Sequence, residues 1–270
     1  MWNDLRLAIR GLARRPSSTL LAILALALGI GANAAILSFV EGIVLKPLPY
    51  ENSERLIQLR QTYGMRTTSL GAVSPRDLQD FRALSDIFVG LAGSERDGKN
   101  VSFTGSPERL VGLAVDADYF NVLGVAPTMG RAFRPEESEA GNAAVVILSD
   151  RLFARRWNRD PQILERSVIM NGRAHRIVGV MPASFRTPDD LAATGQIEYF
   201  VPQVIEASMR INRGEHILDV IGRLQPGVSV EQANAALDHT SARIAASDPS
   251  TNQKVRAIAA PLQELSLIHI

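Results

Sequence analysis

The sequence contains no cysteine and only three lysines among its 270 residues. A domain without cysteine has no disulfide to stabilise it, so it must bury enough apolar surface to fold unaided, and a chain of this length is large enough to do so. The lysines also exclude a Walker A loop, which needs a Lys followed by Ser or Thr. Here Lys46, Lys99 and Lys254 are followed by Pro, Asn and Val, so the chain is not expected to be an ATPase.

Metal-binding and catalytic motifs are also absent. The four histidines are far apart and none belongs to an H-E-x-x-H motif, so we expect them on the surface or in strands. They are His175, His216, His239 and His269. Two acidic pairs, Asp116 with Asp118 and Asp189 with Asp190, have no partner in the sequence that indicates acid–base catalysis, and no G-x-S-x-G nucleophile elbow occurs. The sequence predicts no enzyme, no cofactor and no metal site.

Charged residues are missing from one long segment, Pro16 to Val40. It contains G-x-G-x-x-A from Gly29, a pattern typical of dinucleotide-binding turns. The preceding STLLAILALAL, however, is rich in Leu and Ala, which favours helix over strand, and the following NAAILSFV has no charged face. An uncharged helix of this length is typical of a membrane span, so we predict a transmembrane helix over residues 17–45. A row of small residues in it suits packing against another helix. The row consists of Ala27, Gly31 and Ala35.

Residues 1–16 are predicted to form a basic amphipathic helix at the cytoplasmic surface of the membrane, ended by Pro16. Its apolar side chains are Trp2, Leu5, Ile9 and Leu12, and its arginines are Arg6, Arg10, Arg14 and Arg15. The positive-inside rule places these arginines in the cytoplasm, beside the lipid headgroups, and the chain after Val44 outside it. A signal peptide cleaved after Ala32-Asn33-Ala34 is the alternative, but hydrophobicity continues beyond that site.

The chain after residue 50 is predicted to be an α+β domain, because strands and helices follow one another without regular βαβ alternation. Ser74, Ser149 and Ser229 each precede a helix as an N-cap, and Asn171-Gly172 predicts a hairpin. The net charge of +1 and the lack of a basic stripe argue against nucleic acid as a partner. The predicted strands are RLIQLRQT, DIFVGLAGSE, KNVSFTG, RLVGLAV, AAVVIL, RSVIM, RAHRIVGVM, HILDVIGRL and KVRAIAAPL. The predicted helices are PRDLQDFRAL, DYFNVL, DRLFARRW and VEQANAALDHTSARIAAS.

Several blocks of sequence occur in an order typical of one transporter family. They are LALGIGANAAILS followed by PLPY (47–50), SPRDLQDFR (74–82), DADYFNVLGVAPTMGRAF (116–133), VVILSDRLFARRWNRDPQILERSVIMNGRAHRIVGVMPASF (145–185) and GRLQPGVSVEQANAALD (222–238). Together they resemble the duplicated orphan permeases, a subfamily of the MacB-like and FtsX-type ABC transporter permeases, up to about Gln263. Glu165 is a departure, since the family usually has Gly there.

The resemblance implies a MacB-like periplasmic core domain over residues 50–263, with a porter-like part and an inserted lobe near residues 125–205. It implies an inner-membrane ABC-type permease subunit that a separate cytoplasmic ATPase drives by mechanotransmission, with Arg6, Arg10, Arg14 and Arg15 facing that ATPase or the lipid headgroups. The substrate would be a lipoprotein, a peptide or a small amphiphile, and the further partners would be membrane lipid and a periplasmic adaptor.

The same resemblance implies three more transmembrane helices, which this sequence does not contain, and a final segment 264–270 that does not resemble the family's continuation. We therefore expect an N-terminal fragment with a non-native tail. A membrane-anchored sensory or binding module that transports nothing is the alternative, and the presence of further spans discriminates between the two.

Overall fold

The computed structural model describes residues 2, 6, 16–43, 48–63, 70–103, 107–191 and 196–263. The chain divides into two compact units, residues 1–47 and residues 48–270. In the described residues, the first unit is helical and the second is a mixed α/β domain.

Helix α1, Pro16–Ile43, is 28 residues long and makes up most of the described part of the first unit. Its large aliphatic side chains from Leu20 to Ile30 are each more than half exposed, while the side chains after residue 34 lie outside the described part. Searched over the described residues, the structure contains no helix that is long and apolar enough to cross a membrane. The span over residues 17–45 therefore stays a prediction.

The second unit is built from short helices and from strands that join one sheet. Its strands are β1 (Leu56–Tyr63), β2 (Leu70–Gly71), β3 (Phe88–Ser102), β4 (Pro107–Val115), β5 (Met129–Gly130), β6 (Val145–Leu148), β7 (Ser167–Met170), β8 (Arg173–Val180), β9 (Tyr199–Pro202), β10 (Asp219–Leu224) and β11 (Val255–Pro261). Its helices are α2 (Pro75–Arg82), α3 (Tyr119–Leu123), α4 (Asp150–Trp157), α5 (Pro188–Leu191), α6 (Val230–Ser247) and α7 (Pro249–Asn252), with 3₁₀ turns at Ser53–Arg55, Pro135–Ser138 and Ile163–Glu165.

The strand order is β11-β1-β10-β3-β4-β9-β6-β8-β5, with β2 beside β1 and β7 beside both β3 and β8. Within the described residues two pairs are parallel, β4 with β9 and β6 with β8, and the other neighbours are antiparallel. A mixed sheet without a helix after each strand confirms the mixed α/β character that the sequence predicts.

Part of this sheet closes on itself. β3 pairs with β4, β4 with β9, β9 with β6, β6 with β8, β8 with β7, and β7 returns to β3. This closed ring of six strands satisfies the backbone groups that a free sheet edge would leave unpaired. One apolar cluster packs side chains of this ring together with side chains of α4 and of the 3₁₀ turn at Ile163–Glu165. It consists of Val101, Leu110, Val146, Leu148, Leu152, Phe153, Ile163, Val168, Met170, Ile177, Val180, Tyr199 and Val201.

The open part of the sheet is buried on both faces, as β1 illustrates. Ile57 and Leu59 pack in a cluster that includes Leu78 of α2 and Leu237 of α6. Leu56 packs in a different cluster, the junction core, on the opposite face, because successive strand residues point to opposite sides. The junction core consists of Leu48, Tyr50, Leu56, Ala92, Leu113, Val115, Tyr119, Phe120, Val122, Leu123, Phe133, Val145, Ile147, Val178, Met181, Ile197, Phe200, Ile221 and Leu262.

Side chains of α6 cover the free edge of β11. The amide of Asn234 pairs with both backbone groups of Ala259: Nδ2 donates to the carbonyl oxygen at 3.0 Å, and Oδ1 accepts from the N–H at 2.8 Å. Ser241 Oγ accepts from the N–H of Ala257 at 3.1 Å. These bonds satisfy groups on an edge strand that would otherwise invite another chain to pair.

The sequence prediction of two strands at DIFVGLAGSE and KNVSFTG is wrong. These segments belong to one 15-residue strand, β3, since its polar stretch pairs with β4 without a break, for example Asp97 with Gly112 and Asn100 with Arg109. The partner strand therefore overrides the turn-like composition around Gly98.

Local predictions that rest on capping and turns are confirmed. The hydroxyls of the three predicted serine caps accept from backbone N–H groups in the first turn of their helices. The hairpin between β7 and β8 turns at Asn171 and Gly172, with φ of 49° and 78°, as a type I′ turn requires.

Replacing Asn234 by Ala is expected to lower the free energy of unfolding by about 1–3 kcal/mol, because it leaves a buried N–H and carbonyl of β11 without partners. Urea unfolding followed by circular dichroism measures this. Arg243→Ala, at an exposed position of the same helix, is the matched control and should change the free energy by less than about 0.5 kcal/mol. Equal effects of the two substitutions would contradict the role of Asn234.

Candidate functional site

The predicted N-terminal and helix-packing residues are only partly described. Arg6 is helical and exposed, whereas Arg10, Arg14 and Arg15 lie outside the described residues. In α1, Ala27 and Gly31 are exposed, and a Cβ added at Gly31 would meet no described atom within 4 Å. The side chain of Ala35 lies outside the described part. A membrane-surface or ATPase contact of the arginines and the packing of the small-residue row remain predictions.

The segment at the start of the second unit, residues 48–55, is anchored in the domain; we call it the leading segment. Leu48 and Tyr50 are both buried in the junction core. The Tyr50 hydroxyl donates to the carbonyl oxygen of Arg186 at 2.6 Å, and burial together with nearby Asp190 raises the pKa of that hydroxyl. The tyrosine therefore stays a neutral donor at physiological pH.

Arg223 of β10 ties three separate parts of the chain together. Its Nε donates to the carbonyl oxygen of Val122 at 2.8 Å. Its Nη1 donates to the carbonyl oxygens of Glu51 at 3.0 Å and Asn52 at 3.2 Å. Gly124 ends α3 beside the guanidinium with a φ of 71°, a left-handed backbone conformation that favours glycine. The side chain of Arg223 thus connects the leading segment and the end of α3 to the sheet.

The described hydrogen bonds of Arg223 all go to backbone carbonyl oxygens. Arg223 is 8% exposed, its described partners are carbonyl oxygens, and Nη2 is buried without a hydrogen-bond partner in the described structure. Burial lowers the pKa of Arg223, and nearby Arg55 lowers it further. Arg55 itself donates through Nε and Nη2 to the carbonyl oxygen of Leu224, so a second arginine fixes the leading segment to the end of β10.

Aromatic rings fill the space between these ties. Phe120 of α3 is fully buried, and its ring centroid lies 5.2 Å from that of Phe200, 5.9 Å from that of Phe185 and 6.2 Å from that of Phe133. Most of these contacts are edge-on or tilted, the geometry that aromatic pairs prefer. Phe120 therefore connects α3 with β9 and with the segment after β8.

An open cleft of about 630 Å³ lies beside α4 and the segment after β8. Its apolar lining includes Met181, Pro182, Phe185, Ile197 and Phe200, and its charged lining consists of Asp150, Arg151, Arg155, Arg159, Arg186 and Asp190. The arginines are exposed, whereas most of the apolar side chains are buried. The cleft thus combines an apolar floor with a charged rim.

A second polar site surrounds Asp77, whose side chain is fully buried at the start of α2. The carboxylate accepts from Gln61 Nε2 at 2.6 Å, from Arg213 Nη1 at 2.6 Å and from Asn252 Nδ2 at 2.7 Å. A buried carboxylate is costly unless it is paired and hydrogen-bonded. The network therefore fixes α2 to β1, to α7 and to the loop before β10.

Two of the four histidines are buried or half-buried in the domain. Gln61 Oε1 lies 2.8 Å from His216 Nδ1, and because the Gln61 amide nitrogen donates to Asp77, the histidine nitrogen is the donor. His175 lies in β8 with Nδ1 3.0 Å from the carbonyl oxygen of Arg173. The expectation of surface or strand positions holds for His175 in its strand and for the exposed His239. His216 belongs to the polar network, and His269 lies outside the described residues.

The acidic pairs have structural partners. Asp116 accepts from the N–H of Gly93 at 2.6 Å and pairs with Arg82. Asp189 lies 3.3 Å from Arg96, and Asp190 accepts from the N–H of Ile197 at 2.8 Å. No group of three metal-ligating side chains occurs among the residues that the structure describes.

The family profile described as the MacB-like periplasmic core domain matches residues 19–240. The chain belongs to this family. It is therefore related to the periplasmic domains of an ABC-type transporter permease family, which confirms the resemblance drawn from the sequence blocks. No curated protein matches the sequence at a significant level.

Solved structures share the MacB-like fold at low sequence identity. A domain from a Porphyromonas gingivalis protein assigned as a permease has a TM-score of 0.59 at 16% identity, covering 79% of this chain and 92% of its own. The extracellular domain of the noncanonical ABC-type transporter YknZ from Gram-positive bacteria has a TM-score of 0.52 at 12% identity. The alignment covers 75% of this chain and 99% of that domain. The periplasmic region of MacB from Actinobacillus actinomycetemcomitans has a TM-score of 0.55 at 13% identity. The alignment covers 87% of this chain and 97% of that region.

The sequence blocks of the MacB-like domain converge at the leading segment. Tyr50 of PLPY bonds to Arg186, directly after MPASF, while Arg223 of GRLQPG bonds to Val122 of YFNVLG. Sequence reasoning did not single out Arg186 or Arg223 as site residues. The signal for Arg223 was present, since it is the one charged residue after Asp219 in the apolar strand DVIGRL.

The free energy of unfolding of this domain is expected to decrease as the pH falls from about 7.5 to about 5.5. Burial lowers the pKa of His216 and of His175 below the ordinary value of 6.5. The unfolded chain therefore takes up protons first, and the stability that the two neutral histidines contribute, complete above pH 6.5, is lost as the pH falls through that value. Urea unfolding at several pH values measures the slope.

Substituted histidines separate this effect from general acid sensitivity. His216→Gln should make the loss between pH 7.5 and 5.5 smaller, whatever its effect on stability at pH 7.5. His239→Gln replaces an exposed histidine and should leave the loss unchanged. Identical pH dependence in the two variants would show that His216 does not contribute.

Proposed function

We propose that this chain is the N-terminal part of an ABC-type permease subunit that a separate cytoplasmic ATPase drives by mechanotransmission. In this proposal residues 17–45 cross the inner membrane, the N-terminus is cytoplasmic, and residues 50–263, with an inserted lobe near 125–205, form the periplasmic domain. ATP-driven movement of the membrane helices is passed to that domain, which moves a substrate outside the membrane.

Two features of the first unit support the membrane placement. The segment from Pro16 to Val40 carries no charge, and the exposed aliphatic side chains of α1 have no partner within the described chain that would remove them from water. Lipid and further helices would cover them, with Gly31 and its neighbours in the small-residue row at a helix contact. Arg6 and the three other N-terminal arginines would then face lipid headgroups or the ATPase.

The anchoring of the leading segment is the observation that carries the mechanical part of the proposal. A segment that transmits force must be tied to the body it moves, and residues 48–55 are tied by the Tyr50 hydroxyl, by Arg55 and by Arg223. These bonds reach β10, the end of α3 and the segment after β8. A displacement of the leading segment therefore moves both the open sheet and the lining of the cleft.

The substrate in this proposal is a lipoprotein, a peptide or a small amphiphile, and a periplasmic adaptor is a further partner. The domain carries no Walker A lysine, which supports a division of labour between permease and ATPase.

The membrane topology is directly testable because the natural chain has no cysteine. Asn3→Cys and Ala246→Cys each introduce one thiol, the second at an exposed position of α6. A membrane-impermeant maleimide should label Ala246→Cys in intact spheroplasts and Asn3→Cys only after permeabilisation. Labelling of both variants in intact spheroplasts, or of neither, would contradict the proposed topology.

Mechanical coupling predicts an ATP-dependent change at the leading segment. The permease expressed from its natural gene is reconstituted with the ATPase that co-purifies with it, and amide hydrogen exchange is compared with ATP and with ADP bound. Exchange in residues 48–55 should differ between the two states, and Arg223→Met should reduce the difference because it removes the donor shared by the leading segment and α3.

Arg243→Met, at an exposed position of α6, is the control and should keep the full difference. The proposal fails if exchange in residues 48–55 is the same in both nucleotide states, or if the purified permease hydrolyses ATP without a partner.

A further inference from the structure

Arg186 differs from the other arginines of the cleft in its partners. Its Nη1 donates to the carbonyl oxygens of Ala183 at 2.9 Å and Phe185 at 2.8 Å, and no described carboxylate pairs with it. Carbonyl oxygens orient a guanidinium but do not neutralise it. The side chain is exposed at the cleft, so an anion can reach its remaining N–H groups, which suit a carboxylate or phosphate.

The remaining arginines of the cleft each have a carboxylate partner. Arg155 pairs with Glu198 at 2.7 Å and Arg151 with the same carboxylate at 3.3 Å. Arg159 pairs with Asp150 at 2.5 Å. The other acid of the lining, Asp190, is occupied by hydrogen bonds from Thr187 and Ile197. Arg186 is thus the arginine of the described lining that has no carboxylate partner, and the four arginines of the lining exceed the three carboxylates of Asp150, Asp190 and Glu198 by one charge.

The apolar part of the cleft is continuous with the junction core. Phe185 and Phe200 line the cleft and also contact each other, with ring centroids 5.9 Å apart. Met181 and Ile197 are buried beside them. The half-buried Pro182 and Phe185 supply the accessible apolar surface of the cleft. An apolar chain laid on them would remove that surface from water without disturbing the aromatic cluster, because the rings are already fixed by Phe120.

We propose that this cleft binds a small anionic amphiphile, with its anionic head on the Arg186 guanidinium and its apolar chain on Pro182 and Phe185. The volume of about 630 Å³ lies within the range of about 300–1,000 Å³ that is typical of small-molecule sites. The cleft can bind such a molecule whether or not the proposed permease function is correct. Only the further statement that the molecule is the transported substrate rests on the proposed function.

The position of the site also connects it to the leading segment. The carbonyl oxygen of Arg186 accepts the Tyr50 hydroxyl at 2.6 Å, so the head-binding residue and the leading segment share a direct hydrogen bond. A displacement of Tyr50 would shift the backbone of Arg186 relative to the apolar floor. Ligand release coupled to movement of the leading segment follows from this contact.

Binding is tested with the full chain in nanodiscs of phosphatidylcholine. Gln196→Cys introduces the only thiol, at an exposed position of the cleft lining, and carries an environment-sensitive fluorophore. Three probes are titrated. Octanoate carries both a carboxylate and an alkyl chain, octyl glucoside has an octyl chain without a charge, and acetate has a carboxylate without a long alkyl chain. Saturable fluorescence change is expected with octanoate, with at least about tenfold weaker responses to the other two.

Variants assign the head-binding residue. Arg186→Gln should raise the half-saturating octanoate concentration about tenfold or more, because it removes a charge-assisted hydrogen bond. Arg186→Lys keeps the charge and should retain part of the affinity for octanoate. It replaces Arg186→Gln in the titration if circular dichroism shows that Arg186→Gln is unfolded. Arg243→Gln, an exposed arginine of α6, should bind like the parent chain.

The proposal is overturned if octanoate gives no saturable change, if octyl glucoside binds as well as octanoate, or if both Arg186 variants bind like Arg243→Gln. The titration contains neither ATP nor ATPase. If octanoate binds but hydrogen exchange in residues 48–55 does not depend on ATP, the mechanical coupling is rejected and the proposed binding site stands. If exchange depends on ATP but octanoate does not bind, the binding site is rejected and the coupling stands.

Discussion

The buried guanidinium of Arg223 is the interaction on which the organisation of this domain depends. It holds the leading segment, the end of α3 and β10 together through carbonyl oxygens of Glu51, Asn52 and Val122. A buried charge is costly to leave unpaired, so these three elements cannot separate without exposing or orphaning it. Phe120 lies in the same helix as Val122, and Tyr50 directly precedes Glu51, so the aromatic cluster and the Tyr50 anchor neighbour these bonds along the chain.

Backbone satisfaction explains the rest of the architecture. Six strands close into a ring through β7, which pairs with both β3 and β8, and the exposed edge at β11 is covered by the amide of Asn234. The Asp77 network fixes the loop before β10 in the same way, with charged and amide groups instead of backbone. Such pairing makes local opening of these strands and loops costly, and this is the stiffness that the proposed mechanism requires.

The proposed mechanism uses this stiffness. A MacB-like domain that is moved from one end needs a tied leading segment at that end and a ligand site whose shape changes when the segment moves. Tyr50 and Arg186 join these two requirements through one hydrogen bond, and Arg186 is also the arginine of the described cleft lining without a carboxylate partner. In the proposed function the membrane helices and the ATPase supply the motion, and this hydrogen bond is the contact through which that motion would reach the cleft.

The sequence by itself determined the local features whose energy comes from neighbouring residues: the caps at Ser74, Ser149 and Ser229, the Asn171-Gly172 hairpin, and the mixed α/β class. The family blocks also identified the MacB-like domain. Only the tertiary structure decided the continuous β3, the closed ring and the roles of Arg186 and Arg223. The physical reason is separation along the chain, since Arg223 bonds to residues 101 and 172 positions away, and no local pattern encodes which distant carbonyl oxygens a guanidinium will meet.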